Sequence, residues 1–276
     1  DIGTNDLDDY APDRYWRALG DSSGRSANLV LGNKLLFHLA FAGELPLARL
    51  FGYIARGHLM DVPGTCEQGA PPLAELLERE GALVVKPLDG QKGKHVHLLG
   101  SPSPGEFLLD GRSASSAELA AWQERQDGML VNSRVQQTEY AARIFPATAN
   151  TIRVLTVVDD EGPFVLCACH RFGRVRTGPV DNFAAGGLLC SIDLDSGVMS
   201  RALSNPGKGE RTRVWHDTHP DTGAAIAGTE VPGFGALVDL LLNLLRKHSY
   251  LAYVGWDAVM TDAGPVFLEA NCGSGL

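Results

Sequence analysis

The sequence predicts an α+β fold in two modules: a smaller one over residues 72–131 and a larger, mostly antiparallel one over 132–276. An N-terminal segment over 1–71, helical or α/β in texture, precedes them. Three observations predict this. Glycine (32) and proline (15) are spread through short turns rather than gathered in one linker, so many elements are joined tightly. From residue 150 onward, β-rich runs come in pairs around hairpin turns. Between two such pairs, Leu237, Leu240, Leu241, Leu244 and Leu245 fall at helical spacing and predict a helix over 234–248.

The elements follow in chain order. The first 30 residues read as irregular or weakly helical. Residues 33–41 form a short apolar-rich helix, and 45–54 a strand with its flanks. Pro71-Pro72 opens a helix through Glu80, which Gly81 stops. Residues 83–86 and 95–99 are short strands joined by the glycine-rich stretch 89–94. Ser115 and Glu118 have capping-box spacing for a helix ending near Asp127, and 129–131 is a third strand. Beyond 150 come three hairpins: 151–158 with 164–169, 188–194 with 198–203, and 254–260 with 266–271.

Composition excludes several function classes. The formal charge of −9 disfavours a non-specific nucleic-acid binder, which needs a basic surface to displace counterions. No run approaches the roughly 18 apolar residues of a membrane span. The acid-rich start shows no signal peptide. Five cysteines, odd in number and sparse, are unlike a disulfide framework, so a cytoplasmic setting is expected.

Lys86 ends an apolar strand, a costly place for a charge without an anion nearby. Gly90, Gly93 and Lys94 belong to the basic loop that follows, whose N–H groups can cradle phosphates. Alone, the pair also reads as a snorkelling lysine before an ordinary hairpin loop. The last hairpin is sharper. With a loop at 262–264, Thr261 pairs with Pro265 and Asp257 falls opposite Glu269, on one face with Asn271. Two facing carboxylates repel unless a cation sits between them, and hard oxygen ligands suit Mg²⁺. The other reading is a half-exposed acidic hairpin, which the apolar Phe267, Leu268 and Ala270 disfavour.

Arg153 interrupts a β-branched run, as a phosphate-binding arginine or as a surface one. Asp181-Asn182 runs into Gly186-Gly187, as a loop needing close backbone approach to a ligand or as a turn. Arg171, Arg174 and Arg176 read as a substrate-carboxylate grip or a solvated basic edge. His58, His170, His216 and His219 lack metal-ligand spacing, and Cys167 and Cys169 read as alternating strand residues.

In this order the features resemble the ATP-grasp superfamily, and within it the sugar-transfer-associated branch. The resemblance rests on the 83–86 strand with its 90–94 loop, the 130–135 connector, Asn150-Thr151-Ile152-Arg153, the 181–187 stretch, Gly255-Trp256-Asp257, and Phe267-Leu268-Glu269-Ala270-Asn271. It implies an ATP-grasp fold in which two α+β subdomains clasp ATP. It implies Mg²⁺ on Asp257, Glu269 and Asn271, and Lys34, Lys86, Gly90, Gly93 and Lys94 on the phosphates. It implies Asn132, Arg134 and Val135 at the adenine and Glu139 at the ribose; Asn132 stands where many relatives carry an acid. The implied reaction joins a small-molecule carboxylate to an amine through an acylphosphate, with Lys86, Arg153 and Asn182 as catalytic groups. Two alternatives are a small-molecule kinase, though no His-Arg-Asp segment is present, and a non-catalytic nucleotide-binding module.

Overall fold

The computed structural model describes residues 22–63, 71–90, 95–205 and 212–273. Helix α1 (Gly24–Gly32) runs into α2 (Lys34–Phe41). Asn33 divides them, and its side-chain oxygen accepts from the N–H groups of Leu35 and Leu36, capping α2. Strands β1 (Leu50–Ala55) and β2 (His58–Met60) follow, then α3 (Leu73–Glu80), β3 (Ala82–Pro87) and β4 (His97–Ser103). A hairpin of β5 (Glu106–Leu109) and β6 (Arg112–Ala114) leads to α4 (Ser116–Glu124) and β7 (Met129–Ser133).

These strands make one antiparallel sheet of order β2-β1-β7-β3-β4-β5-β6. The sheet draws β1 and β2 from before residue 72. Its core packs Leu73, Leu76 and Leu77 of α3 and Trp122 of α4 against Leu83, Val85 and Val131. Alternation along β3 therefore sends Val84 and Lys86 to the opposite face, where both line a cleft.

The second half begins with α5 (Glu139–Ile144), then the long hairpin β8 (Ile152–Asp159) and β9 (Gly162–Phe172). Strands β10 (Leu188–Ile192), β11 (Ala202–Ser204) and β12 (Val214–His216) precede α6 (Phe234–Lys247), β13 (Tyr253–Thr261) and β14 (Gly264–Asn271). They form a sheet of order β12-β11-β10-β9-β8-β13-β14. Leu237, Leu241, Leu244 and Leu245 of α6 fill the core beneath it, together with Trp256, Phe267 and, from the N-terminal helices, Leu31, Phe37 and Phe41. Helices α1 and α2 thus belong to this core although they open the chain. No helix among the described residues is long and apolar enough to cross a membrane.

Several sequence expectations shift. The strand expected at 45–54 starts only at Leu50, because Pro46 has no N–H to give a ladder; its carbonyl instead accepts from Phe267 N at 2.8 Å. The strand expected at 95–99 is displaced to His97–Ser103, and His95 takes a left-handed φ of 57°. The β5–β6 hairpin was not expected, yet its signal is present: Asp110-Gly111 turns with φ of 51° and 78°, as a type I′ turn requires. The capping box of Ser115 and Glu118 forms, but its helix stops at Glu124, short of Asp127.

Candidate active site

The cleft between the sheets has a volume of about 480 Å³ and is lined from both halves of the chain. Its floor is one row of side chains across three strands. Arg153 on β8 pairs with Asp257 on β13, which pairs with Glu269 on β14. The expected Asp257–Glu269 pairing is present by a different route. Thr261 pairs with Gly264, not Pro265, and a bulge at Leu268 shifts the register back. The carbonyl of that extra residue accepts from Lys86 Nζ at 3.2 Å.

Asp257 is nearly sealed, with its side chain 3% exposed. Arg153 Nε and Nη2 donate to its Oδ1 and Oδ2, both at 2.7 Å, and Arg171 Nη2 reaches Oδ2 at 2.8 Å. Burial alone would raise its pKa; the two guanidinium groups outweigh burial and hold the carboxyl well below its usual range. Glu269 is more open. Its Oε2 lies 3.3 Å from Lys34 Nζ, and Asn271 Nδ2 donates to Oε1 at 3.4 Å. Lys34 is the first residue of α2, and it also donates to the Gly90 carbonyl at 2.8 Å. Asn33 ties the same loop, its Nδ2 donating to Asp89 Oδ1 at 2.8 Å. Burial, with Lys34 nearby, pulls the Lys86 ammonium down to about 8, against the opposing pull of Glu269 and Asp257.

Most of the expected residues meet here. Lys34, Lys86, Gly90, Asn132, Arg134, Val135, Arg153, Asn182, Asp257, Glu269 and Asn271 all line the cleft. Gly93 and Lys94 lie outside the described residues. Glu139 does not line the cleft: it is exposed at the start of α5, while Gln136 and Gln137 stand on the wall. Asn132 is buried, and its amide nitrogen donates to the carbonyls of Ala48 and Arg49 at 3.4 and 3.3 Å.

The three arginines after β8 separate. Arg171 faces the site, whereas Arg174 pairs with Asp221 at 2.7 Å and Arg176 donates to the carbonyls of Gly186 and Asn205, both at 3.1 Å. The closeness that the glycine pair permits is to this chain itself. A Cβ on Gly187 would lie 2.9 Å from the Asn182 carbonyl oxygen and 3.0 Å from that of Phe172. Asn182 Oδ1 accepts from Ala184 N at 2.9 Å, capping a short 3-10 turn over Phe183–Ala185.

Sequence reasoning missed the props of this wall. Asn150 Nδ2 donates to Gln137 Oε1 at 3.0 Å and to the Phe145 carbonyl at 2.7 Å, while its Oδ1 accepts from Gly173 N at 3.1 Å. Thr151 N donates to Asp181 Oδ2 at 2.7 Å, and the Thr151 hydroxyl donates to the same oxygen. That pinning sets the loop over 181–187 against β8.

The donor set fits Mg²⁺ only in part. Glu269 and Asn271 offer hard oxygens on the cleft wall, which suit this cation. Both oxygens of Asp257 accept from arginine here. Among the described residues, no group of three or more His, Cys, Asp or Glu side chains forms a metal-binding set.

A family model described as sugar-transfer associated ATP-grasp matches residues 17–276. Among solved structures, N5-carboxyaminoimidazole ribonucleotide synthetase in its ADP complex aligns with 10% identity and a TM-score of 0.50, over 94% of this chain and 50% of that one. D-alanyl-alanine synthetase A from Vibrio cholerae aligns with 10% identity and a TM-score of 0.45, over 89% and 56%. The N5-carboxyaminoimidazole ribonucleotide synthetase of Thermus thermophilus aligns with 13% identity and a TM-score of 0.44, over 94% and 51%. The chain thus spans about half the length of these proteins, and at such identity the likeness is one of fold. No curated protein matches the chain in sequence.

Proposed function

The chain belongs to the sugar-transfer associated ATP-grasp family, and from that premise we propose that it is an ATP-dependent carboxylate–amine ligase. In this reading a carboxylate takes the γ-phosphoryl group of ATP, and an amine displaces phosphate from the acylphosphate to form an amide bond. ADP and phosphate are released.

The observation that carries the reading is the convergence of Lys34, Lys86, Arg153 and Arg171 on one cleft, together with Asp181, Asp257 and Glu269. A carboxylate and a triphosphate repel each other, so bringing them together needs fixed cations where charge develops. Lys34 and Lys86 would hold the phosphates in place of the carbonyls of Gly90 and Leu268. Arg153, its planar fork held in orientation by Asp257, would bridge the transferred group and the acyl oxygen, a geometry lysine cannot copy. Asn182 would orient the same group from the loop. Glu269 and Asn271 would hold Mg²⁺, which would screen phosphate charge. Five sparse cysteines in 276 residues would suit a cytoplasmic setting.

The test is ADP release across a panel of carboxylates and amines. Release of ADP and phosphate that requires both partners is the expected result. A stable phospho-product from a hydroxyl compound would make the protein a kinase. ATP binding without turnover under any pair would make it a binding module.

A further inference from the structure

Two groups of the cleft have no ligand assigned to them by the ligase reading, Arg171 and Asp181. Arg171 spends one edge of its guanidinium internally: Nε and Nη2 donate to Thr151 Oγ1 at 2.9 and 2.6 Å, and Nη2 also reaches Asp257 Oδ2 at 2.8 Å. Its Nη1, with two N–H donors, has no partner among the described residues. Asp181 mirrors this. Its Oδ2 accepts from Thr151 and lies 3.8 Å from Arg171 Nε, while its Oδ1 has no partner among the described residues. Both residues line the cleft. The side chains of Arg171 and Asp181 are 15% and 13% exposed, so both are reachable from the cleft they line.

We propose that Arg171 and Asp181 form the subsite for a small α-amino acid, with the α-carboxylate on Arg171 Nη1 and the ammonium on Asp181 Oδ1. Thr151 anchors both side chains, its hydroxyl accepting from Arg171 and donating to Asp181, so the pair is fixed before a ligand arrives. A simple carboxylate would satisfy Arg171 and set a second anion against Asp181. A simple amine would do the reverse. A zwitterion satisfies both, and charge complementarity of this kind selects the ligand. Arg171 Nε and Asp181 Oδ2 lie 3.8 Å apart, which sets the two side chains next to each other in the cleft, within reach of one small ligand. Ala147, Ala149, Val180 and Leu189 wall the same cleft, which favours a small apolar side chain. The inference names the amine partner of the ligase reading and rests on that reading for its use in catalysis.

The experiment is calorimetric titration of the full chain, with ADP and Mg²⁺ present, against L-alanine, D-alanine, propionate and ethylamine. One alanine enantiomer should bind at least ten-fold tighter than propionate or ethylamine. Asp181→Asn, which keeps an oxygen for Thr151, should erase alanine's advantage, weakening alanine while propionate binds no more weakly than to wild type. Arg171→Lys should weaken alanine and propionate together, ten-fold or more; if it loses a cooperative melt, Asp181→Asn decides alone. Arg174→Gln, outside the cleft, should bind like wild type. Propionate binding as tightly as alanine, or alanine affinity unaltered in Asp181→Asn, overturns the subsite. ADP release in parallel separates the two readings. If release needs a carboxylate and an amine but the KM for the amine ignores Asp181→Asn, the ligase stands and the subsite falls. If alanine binding depends on Asp181 while no pair releases ADP, the subsite stands and the ligase reading falls.

Discussion

Lys86 of β3 donates to the carbonyl of Leu268 in β14 at 3.2 Å, tying the first sheet to the bulge of the second. A bulged residue has no partner across the ladder, so its carbonyl is available to a side chain. This bond gives the partly buried ammonium a hydrogen-bond acceptor, and it has no other among the described residues.

ATP offers Lys86 a better acceptor than a carbonyl. Lys86→Met should weaken ATP binding by about 1.5–3 kcal/mol, the usual worth of one charge-assisted contact. Calorimetry showing unchanged ATP affinity would return Lys86 to a purely structural role between the sheets.

The two acids of the floor should answer differently to neutralisation. Glu269→Gln removes a charge that is partly exposed and, among the described residues, is ion-paired with Lys34 alone. It should abolish Mg²⁺-dependent turnover while changing folding stability by no more than about 1 kcal/mol. Asp257→Asn leaves Arg153 and Arg171 facing each other in a buried site, and should cost roughly 3–5 kcal/mol of stability as well as activity. Denaturant unfolding of both variants, beside ADP release, checks this. Equal stability losses would mean that the acids share one job.

Arg153→Lys keeps a cation beside Asp257 but loses one of two parallel N–H bonds. It should lower kcat by roughly 10²-fold with ATP affinity nearly unchanged, as for a group that acts on developing charge. Steady-state kinetics with wild-type kcat would show that the fork serves Asp257 only.

How far the sequence foretold this site depends on the range of each contact. Asp257 opposite Glu269 was expected from alternation around a hairpin turn placed one residue off, and the pairing is met only because the bulge at Leu268 offsets that shift. The compensating bulge at Leu268 was not, since nothing in residues 266–268 distinguishes a paired residue from an extra one. Arg153 was visible as a charge in an apolar run. Its grip on Asp257 was not, because β8 and β13 neighbour each other only through the sheet order, 104 residues apart. Lys34 was reached by resemblance alone, as its approach to Glu269 and Gly90 depends on how α2 packs between the sheets. Arg174 and Arg176 looked equivalent to Arg171 in sequence. The chain leaves the sheet at Phe172, and only Arg171 remains on the cleft face.

Gly187 should tolerate no side chain. Its Cβ would meet the carbonyl oxygens of Asn182, Asp181 and Phe172 at 2.9–3.0 Å, and backbone cannot step aside as a side chain can. Gly187→Ala should cost about 1–3 kcal/mol by overpacking and lift the 181–187 loop from β9. A melting curve and KM values measured together check it; an unshifted melt would mean that the loop is not seated on the sheet.

His170 supplies a pH dependence away from the cleft. Its ring is fully buried, stacked on Phe172 with centroids 4.2 Å apart. Nδ1 lies 3.2 Å from the Arg171 carbonyl and must donate there, so Nε2 accepts from the Tyr140 hydroxyl at 2.9 Å. That bonding assigns a neutral ring, and burial pushes its pKa down to about 3. The sign follows from linkage. Between pH 6.5 and pH 3 the unfolded chain protonates this histidine and the folded chain does not, so stability is full above about pH 6.5 and is lost as pH falls toward 3. The loss approaches about 1.4 kcal/mol per pH unit inside the window. His170→Gln, which offers an N–H and an oxygen to the same partners, should start less stable at pH 7 but lose less between pH 6.5 and 4.5. Denaturant unfolding at those two pH values for both proteins measures it. Parallel losses in wild type and variant would assign the acid sensitivity to the carboxylates and show that His170 accepts a proton without unfolding.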